Sequence, residues 1–386
     1  MKLARILGTI ATLALVILAG GAPARATAPS APAPAGVTLS STVQIAFPLS
    51  ITFSVNAQSD VNVTDLRLHY VVHRRNLTTV VSEGWARFTP APTVSSQWVW
   101  DMRMSGLPPG AQVEYWWTGR DAAGKTGQTE RATLSFDDTR HNWQSITTAR
   151  VTLYWYSGSR TFADALMEAA QQGLSTIEQD VGAIPEGNVR IYIYASAADL
   201  QAAQLFAPTW EGGVTFVGYD IIAVGVATSQ LGYGQRAVPH ELTHWIVGQL
   251  TSNSYGAGLP VWLDEGLATY GEGDVNPQYQ DALQFAIQNN RLISVRSLSS
   301  PFSPNAQEAL ISYGESNSIV SFLIEKHGKD KMVQLLHVFQ EGSGYDAALD
   351  QVYGFDQDGL DNAWRQSLGV AAGVAEAPAL VLAGAY

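Results

Sequence analysis

The chain has 386 residues, of which 46% are hydrophobic and 10% aromatic, enough apolar material for a sizeable core and too much for wholesale disorder. Its formal net charge of −12 argues against nucleic acid and anionic membranes as partners, because both would repel it. The absence of cysteine excludes disulfides, and export without disulfides indicates a bacterial-type protein.

The first 26 residues have the pattern of a secretory signal peptide. Two basic residues precede an apolar run at Ile6–Ala19, and a small-x-small sequence predicts cleavage after Ala26. The alternative, a membrane anchor, would need about 20 continuous apolar residues, and this run is shorter. We therefore expect a secreted or envelope-associated protein without a stable membrane anchor, in which residues 27–36 form a Pro/Ala-rich linker.

Residues 37–138 are short segments of alternating apolar and polar residues separated by turns, which predicts an all-β sandwich. Within Leu107–Lys125, a Pro-Gly turn precedes a strand containing Tyr115, and this stretch resembles the tyrosine corner of immunoglobulin-like and fibronectin type III domains. Four tryptophans could form either a carbohydrate-binding face or part of the core, and their alternation in strands favours the core. They are Trp98, Trp100, Trp116 and Trp117.

Residues 139–369 mix strands and helices. Strands are predicted at Arg150–Ser157, Asn188–Ser196 and Thr215–Val226, and a helix at Thr161–Gly182. After Ala237 the pattern contains only helices and loops, which indicates an α+β domain with its sheet in the front half. Residues 370–386 are small and apolar but interrupted by an acid and a proline, so we expect a flexible end.

The most informative motif is HELTH, in a predicted helix. Residues four apart on an α-helix lie about 40° apart around the axis and about 6 Å apart along it, so the imidazoles of His240 and His244 can reach one ion. Glu241 can face a water on that ion without binding the ion, which is the position of a general base. Because proline is tolerated in the first helical turn, Pro239 predicts that the helix begins no earlier than about Gln235.

A catalytic zinc site needs three protein ligands and leaves a fourth position for water. The third candidate is Glu265 in the predicted helix of LPVWLDEGLATYGEG, where an acid among apolar residues is better explained as a ligand than as a solvated face. Gly266 and Ala268 are small enough for a neighbouring helix to approach. Two histidines and a carboxylate would also suit a ferrous oxygenase, but a base built into the ligand helix favours zinc.

The paired motifs HELTH and WLDEGLATY resemble those of gluzincin metallopeptidases, and most closely the peptidase MA-like group, over about residues 146–369. The resemblance implies a thermolysin-like α+β domain. The expected architecture is therefore multidomain, with an all-β immunoglobulin-like sandwich followed by an α+β gluzincin metallopeptidase domain. It also implies one catalytic Zn²⁺ bound by His240, His244 and Glu265, with Glu241 as the base.

The family also uses an oxyanion-stabilising tyrosine, which implies Tyr313 here, and the position of Tyr270 shortly after the third ligand makes it a second candidate. Thr269 is either a hydrogen-bond donor that supports the site or a plain helix-face threonine, and the second interpretation is favoured. The resemblance further implies a substrate-pairing sheet edge near Ile221–Val226.

These features predict a secreted zinc metallopeptidase that acts on a peptide or protein substrate. The sequence has no G-x-M-E-N stretch of the kind that aminopeptidase N-like enzymes use to bind the substrate's free amine, which favours an endopeptidase. The alternative is a catalytically silent binding or scaffold protein. Loss of a ligand or base would favour that alternative, and none is lost.

Overall fold

The computed structural model describes residues 36–75, 78–205, 212–253 and 258–370. The predicted signal peptide, the linker except its last residue, and the tail beyond residue 370 lie outside the described residues. Within the described ranges, no helix is both long enough and apolar enough to cross a membrane.

The first part of the described chain, residues 36–138, is all-β as predicted, and we call it the β region. Its strands are β1 (Thr38–Ala46), β2 (Ser50–Val72), β3 (Ser82–Trp85), β4 (Ala91–Asp101), β5 (Ala111–Asp121), β6 (Thr126–Gln128) and β7 (Ala132–Phe136). They form one antiparallel seven-stranded network. The first half of β2 pairs with β1 and β4, and beyond an irregularity between Gln58 and Val63 its second half pairs with β3 and β5. An immunoglobulin-like arrangement of these strands stays a prediction.

Of the four tryptophans considered, Trp98, Trp100 and Trp117 belong to or pack against the core of the β region, as predicted, whereas Trp116 stacks on His69 at a ring-centre distance of 5.2 Å. Trp117 is fully buried, and Trp100 and Trp116 are 9% and 8% exposed. Trp98 is partly buried, and its ring lies so close to Gly84 that a Cβ there would come within 2.6 Å of it. These rings therefore stabilise the core rather than form an exposed face for a sugar.

Five further strands form the sheet of the second part of the chain. They are β8 (Gln144–Thr147), β9 (Val151–Trp155), β10 (Val189–Tyr194), β11 (Gly213–Phe216) and β12 (Ile221–Gly225), in the spatial order β11-β12-β10-β9-β8. The three central strands are parallel to one another. The edge strands β8 and β11 are antiparallel to their neighbours.

The predicted strand Thr215–Val226 is broken in the structure, and the break changes which strand forms the sheet edge. β11 ends at Phe216, a 3₁₀ turn spans Val217–Tyr219, and Asp220 takes a left-handed conformation with φ 53° before β12 begins. The chain therefore folds back as an antiparallel hairpin. The prediction that Ile221–Val226 forms the free edge is wrong, because β11 covers that edge and is itself the edge strand.

Helices form the rest of the second part, and after Ala237 the described residues contain no strand, as predicted. They are α1 (Arg160–Asp180), α2 (Ala197–Ala202), α3 (Leu231–Thr251), α4 (Val261–Gly271), α5 (Pro277–Gln288), α6 (Val295–Leu298), α7 (Ala306–His327), α8 (Lys329–Gln340), α9 (Tyr345–Tyr353) and α10 (Gln357–Ser367). The N-cap of α1 is Ser159, whose side chain accepts a hydrogen bond from the backbone N–H of Phe162, so the helix begins one residue before the predicted start at Thr161.

The five-stranded sheet separates two hydrophobic clusters. On one face, Leu153, Ile191 and Val224 pack with buried side chains of α1 and α3. On the other face, Tyr192 and Ala223 belong to the cluster that forms the core of the β region. Successive side chains of a strand point to opposite faces, so a buried parallel sheet needs cover on both. Helices cover one face here, and the β region covers the other.

Helix α3 begins earlier than predicted. It starts at Leu231 instead of near Gln235, so Pro239 lies in its third turn rather than its first. A proline inside a helix removes a backbone hydrogen bond and can cost about 3 kcal/mol. The proline ring packs directly on α1, where a Cβ on Gly173 would lie 2.5 Å from it. Tertiary packing of the early turns thus outweighs the missing hydrogen bond.

Candidate metal centre and catalytic site

Two helices bring together the three side chains predicted to hold a metal ion. α3 presents His240 and His244 on one face, and α4 carries Glu265. The two imidazole Nε2 atoms are 3.2 Å apart, and Glu265 Oε2 lies 3.4 Å from Nε2 of His240 and 3.7 Å from Nε2 of His244. In a tetrahedral zinc site with bonds of about 2.0–2.1 Å, neighbouring ligand atoms lie about 3.3–3.4 Å apart. These three side chains could therefore hold one metal ion.

The position of Glu265 depends on close packing between α4 and α7. A Cβ on Gly266 would lie 2.6 Å from the carbonyl oxygen of Ser316 and equally close to Val320, so only glycine permits this approach. Trp262 on the preceding turn is fully buried and fixes the rotation of α4. The sequence prediction that Gly266 allows a neighbouring helix to approach is confirmed.

The donor set also fits a cation by its chemistry. Glu265 Oε2 is buried and has no hydrogen-bond partner among the described residues. Buried polar atoms are almost always paired, because leaving one unpaired costs on the order of 1–3 kcal/mol. A cation between this oxygen and the two Nε2 atoms would satisfy all three.

The other nitrogen of each imidazole bonds to a carboxylate. His240 Nδ1 lies 2.9 Å from Glu272 Oε1, and His244 Nδ1 lies 3.1 Å from Asp264 Oδ1. An Nδ1–H that donates to a carboxylate leaves Nε2 unprotonated and directed at the metal position. The two carboxylates differ in exposure, with side chains 6% exposed for Glu272 and 43% for Asp264.

The electrostatics of the site favour positive charge. Burial lowers the pKa of His240, but the neighbouring carboxylates of Glu265 and Glu272 outweigh it and raise that pKa to about 9. The pKa of His244 is likewise raised, because Asp264 and Glu265 outweigh its burial. Burial raises the pKa of Glu265, yet the two imidazoles hold it well below its usual range. The carboxylates around the two imidazoles therefore favour a positive charge at this position, and Glu265 is ionised.

Glu241, which directly follows His240 in α3, contacts the edge strand β11. Its side chain is buried, and a Cβ on Gly213 would lie 2.5 Å from its Oε1. The hydroxyl of Thr215 donates to Glu241 Oε2 at 2.7 Å and also lies 2.8 Å from the Glu241 carbonyl oxygen. The carboxylate is therefore held in one orientation by the strand, separate from the ligand cluster.

Tyr313, the first oxyanion candidate, lies beside the ligands. Its ring centre is 6.4 Å from that of His240, and it packs against Tyr279 and Phe302 with ring-centre distances of 5.8 Å and 5.2 Å. Burial raises its pKa well above the ordinary value, so the hydroxyl stays protonated and can donate. The second candidate, Tyr270, packs against the helical core.

Thr269 takes the plain helical role that the sequence favours. Its hydroxyl lies 2.9 Å from the Glu265 carbonyl oxygen and 3.0 Å from that of Gly266, both in its own helix. Asn317 donates to this hydroxyl at 3.4 Å. Thr269 therefore bonds to the helix backbone, and its hydroxyl does not reach the metal position.

The sequence interpretation missed Thr215, Asp264 and Glu272 as supporting residues. Glu272 follows Glu265 by seven residues, a spacing that places both on one face of a helix, so this signal could have been found. Asp264 adjoins the ligand and carries no signal of its own. Thr215 reaches Glu241 only through the fold of the β11–β12 hairpin, which no local pattern predicts.

The fold and donor set define a metallopeptidase-type centre, with two histidines and an acid from one helix and a further acid from the next. The sequence profile of the peptidase MA superfamily matches residues 169–370, more than half of the chain. The chain therefore belongs to the peptidase MA superfamily. A search of curated proteins found no match.

Three solved structures illustrate the range of structural similarity. Aminopeptidase A of Legionella pneumophila, bound to aspartic acid, is 10% identical with a TM-score of 0.36, covering 88% of this chain and 49% of that chain. An aminopeptidase N family protein of Idiomarina loihiensis is 10% identical with a TM-score of 0.36, covering 85% and 73%. OgpA of Akkermansia muciniphila is 19% identical with a TM-score of 0.20, covering 26% and 27%. The chain thus spans about a quarter of the length of OgpA and about half of the length of the Legionella aminopeptidase A.

Proposed function

We propose that this protein is a zinc-dependent metallopeptidase that hydrolyses peptide bonds in peptide or protein substrates. The observation that carries the proposal is the convergence of ligand atoms from His240, His244 and Glu265. The helix that carries the two histidines also carries Glu241, whose carboxylate accepts a hydrogen bond from Thr215. His240, His244 and Glu265 are the proposed zinc ligands. A donor set of two imidazoles and one carboxylate, with a base on the ligand helix, favours zinc over ferrous iron.

Each side chain of the site has a proposed task. When bound, zinc would supply a Lewis acid that polarises the scissile carbonyl and acidifies a water molecule. Glu241 accepts a proton from that water and returns it to the leaving amine. Tyr313 donates its hydroxyl hydrogen to the negative charge that develops on the carbonyl oxygen. Glu272 and Asp264 hold the imidazoles in the orientation that directs Nε2 at the metal.

The edge strand β11 is the proposed docking element for the substrate backbone. One side of β11 pairs with β12, and an extended peptide can add to the other side as a further strand. Gly213 has no side chain to keep such a peptide away from the Glu241 carboxylate. An edge strand accepts an extended chain anywhere along its length, which is consistent with an endopeptidase. Aminopeptidase activity is the competing specificity.

The proposal includes export of the enzyme. It is supported by the signal-peptide pattern of residues 1–26.

A peptide-library cleavage assay with the zinc-loaded protein tests the proposal. Half of the library carries acetylated N-termini, since an endopeptidase cleaves blocked peptides and an aminopeptidase needs a free amine. Glu241→Gln keeps the shape of the side chain but cannot take a proton, and we expect it to lower cleavage by about 10³-fold. Glu168→Gln, on an exposed position of α1, is the matched control and should cleave as the wild type does.

The outcomes separate the alternatives. Internal cleavage of blocked peptides by the wild type, lost in Glu241→Gln, supports an endopeptidase. Cleavage restricted to free N-termini would show an aminopeptidase instead. Stoichiometric zinc without cleavage of any peptide would support the catalytically silent scaffold.

A further inference from the structure

The turn between β11 and β12 depends on an unusual residue. Asp220 closes this turn with φ 53° and ψ 45°, in the left-handed region. For a residue with a side chain, that region costs about 1–2 kcal/mol, and aspartate tolerates it better than most. The surroundings must therefore stabilise the turn, and the contacts of Asp220 show how.

The carboxylate of Asp220 joins two parts of the chain that are far apart in sequence. Arg75, in the loop after β2, donates from Nε to Oδ1 at 2.8 Å and from Nη2 to Oδ2 at 2.9 Å. Trp245 donates from its indole Nε1 to Oδ1 at 2.8 Å. Both members of the Arg75–Asp220 pair are only 21% exposed, so water screens this forked ion pair less than a surface pair.

Arg75 also holds the surrounding backbone. Its N–H donates to the carbonyl oxygen of Gly218 at 2.7 Å, inside the turn itself. Its Nη2 donates to the carbonyl oxygen of Glu186 at 3.0 Å. The loop after β2 therefore bonds to the turn through both its backbone and its side chain.

On the other side, the turn packs on the helix that carries the metal-binding histidines. Trp245 directly follows His244 in α3 and is fully buried. A Cβ on Gly248 would lie 2.6 Å from Val217, so the turn sits tightly on α3. The turn is thus fixed between the β region and α3.

This turn determines where β11 lies relative to Glu241. β11 ends at Phe216, and Thr215 within it donates to the Glu241 carboxylate. A shift of the turn would therefore move both the free edge of β11 and the hydrogen bond that orients the base. Displacements of about 1 Å in a catalytic arrangement can lower rates by about 100-fold.

We infer that Arg75 and Asp220 are positioning residues, through which the β region holds the edge strand β11 in register with Glu241. The β region is then a working part of the peptidase and not an independent module. The predicted effect on catalysis rests on the proposed function. The predicted effect of Arg75 and Asp220 on the position of the β11–β12 hairpin does not. If the Arg75–Asp220 pair only stabilised the fold, its removal would lower the unfolding temperature and leave the kcat of the folded enzyme unchanged.

The first arm of the test compares kinetics in full-length, zinc-loaded variants. Arg75→Met and Asp220→Asn should each lower kcat by about tenfold with zinc affinity unchanged, because the base is misaligned while the metal is kept. KM should rise as well, because the docking edge of β11 moves with the turn. Arg75→Lys keeps the charge without the forked geometry and should recover part of the loss. Arg67→Met, which removes a surface pair with Asp65 in the same β region, is the control and should leave kcat unchanged.

The second arm does not need activity. Hydrogen exchange of the metal-free protein should be faster in residues 213–225 of Arg75→Met than of Arg67→Met, with exchange in α3 unchanged. Two results would overturn the inference. One is unaltered exchange in that hairpin, and the other is a loss of kcat that weaker zinc binding or a lower unfolding temperature fully explains. If the wild type cleaves no peptide, the proposed function fails, and hydrogen exchange alone still decides whether Arg75 holds the hairpin.

Discussion

The two sides of Glu241 are built in different ways. On the metal side, the ligands come from two helices that follow one another closely, with His240 and His244 separated by 4 positions. On the strand side, Thr215 bonds to Glu241 across 26 positions, and Arg75 bonds to Asp220 across 145. The first arrangement follows from helical periodicity, whereas the second exists only after the β region, the sheet and α3 have packed together.

Because they are built differently, the two sides of Glu241 should contribute differently to metal affinity and to the catalytic rate. The metal side supplies the donor atoms, and a change there should affect metal affinity first. The strand side supplies orientation, so a change there should lower the rate while the metal is retained. Variants that separate affinity from rate therefore test the comparison.

The largest effect is expected on the metal side, from Glu265→Ala. This change removes one of three donors and leaves the two Nε2 atoms without a negative partner. Zinc affinity should fall by more than about 100-fold, and hydrolysis should be lost with it. Competition with a chromophoric chelator measures the affinity. Glu325→Ala, on an exposed position of α7, is the control, and equal affinity in the two variants would refute the ligand assignment.

The two carboxylates that bond to the imidazole Nδ1 atoms should contribute differently to zinc affinity. Glu272→Gln removes a buried partner of His240 and should weaken zinc binding by about 10–100-fold. Asp264→Asn removes a partner of His244 that is 43% exposed, where water replaces much of the interaction. We expect a loss of at most about threefold there. The same chelator competition measures both, and a larger loss in Asp264→Asn would reverse the ranking.

On the strand side, Thr215→Val tests the orientation of the base. Valine keeps the shape of threonine but cannot donate to Glu241, and a hydrogen bond to a charged group contributes about 1.5–3 kcal/mol. We expect kcat to fall by about tenfold, with zinc affinity within about twofold of the wild type. Steady-state kinetics on a peptide substrate measures the change. Thr215→Ser restores the hydroxyl and should recover most of the rate, and failure to do so would show that packing is the cause.

The smallest effect on catalysis is expected at Glu315, a buried carboxylate that belongs to neither side. It is 0% exposed and accepts hydrogen bonds from the backbone N–H of Ile293 at 3.1 Å and 3.2 Å. Burial, only partly offset by that N–H and by Arg365, raises its pKa to about 8 from an ordinary value of 4.5. The folded protein therefore binds a proton that the unfolded chain releases between these two values.

The pH dependence follows from that proton. Below pH 4.5 both states are protonated and Glu315 contributes no pH dependence, whereas between pH 4.5 and about 8 the folded state loses stability as the pH rises. Glu315→Gln removes this loss. The variant should gain on the order of 5 kcal/mol relative to the wild type between pH 4 and pH 9, with kcat and zinc affinity unchanged. Urea unfolding at the two pH values measures the gain, and a difference that does not grow with pH would contradict the account.

The metal ligands and many of the helices and strands could be predicted from the sequence, because they follow from local periodicity. Helical spacing places His240 and His244 on one face whatever the surrounding structure, and a carboxylate amid apolar residues at Glu265 indicates a buried partner. Alternation predicted the strands of the β region, and the structure has them. Membership of the peptidase MA superfamily agrees with the resemblance stated from HELTH and WLDEGLATY.

The failures at the Thr215–Val226 strand and at the start of α3 depend on tertiary contacts. A continuous strand to Val226 was predicted because apolar residues run through it, but Asp220 breaks it when Arg75 and Trp245 bind its carboxylate. The start of α3 was placed too late because the packing of α1 on Pro239 is not visible locally. The hydrogen bond from Thr215 needed the same hairpin. No pattern of neighbouring residues encodes these contacts.

X-ray absorption spectroscopy at the zinc edge, on protein loaded with one equivalent of zinc, tests the central claim most directly. We predict two imidazole nitrogens and one carboxylate oxygen at about 2.0–2.2 Å, with a further light-atom ligand from solvent. In His244→Ala the signal of one imidazole should disappear. A spectrum without imidazole scattering, or one that His244→Ala leaves unchanged, would contradict the metal centre and the proposed peptidase activity with it.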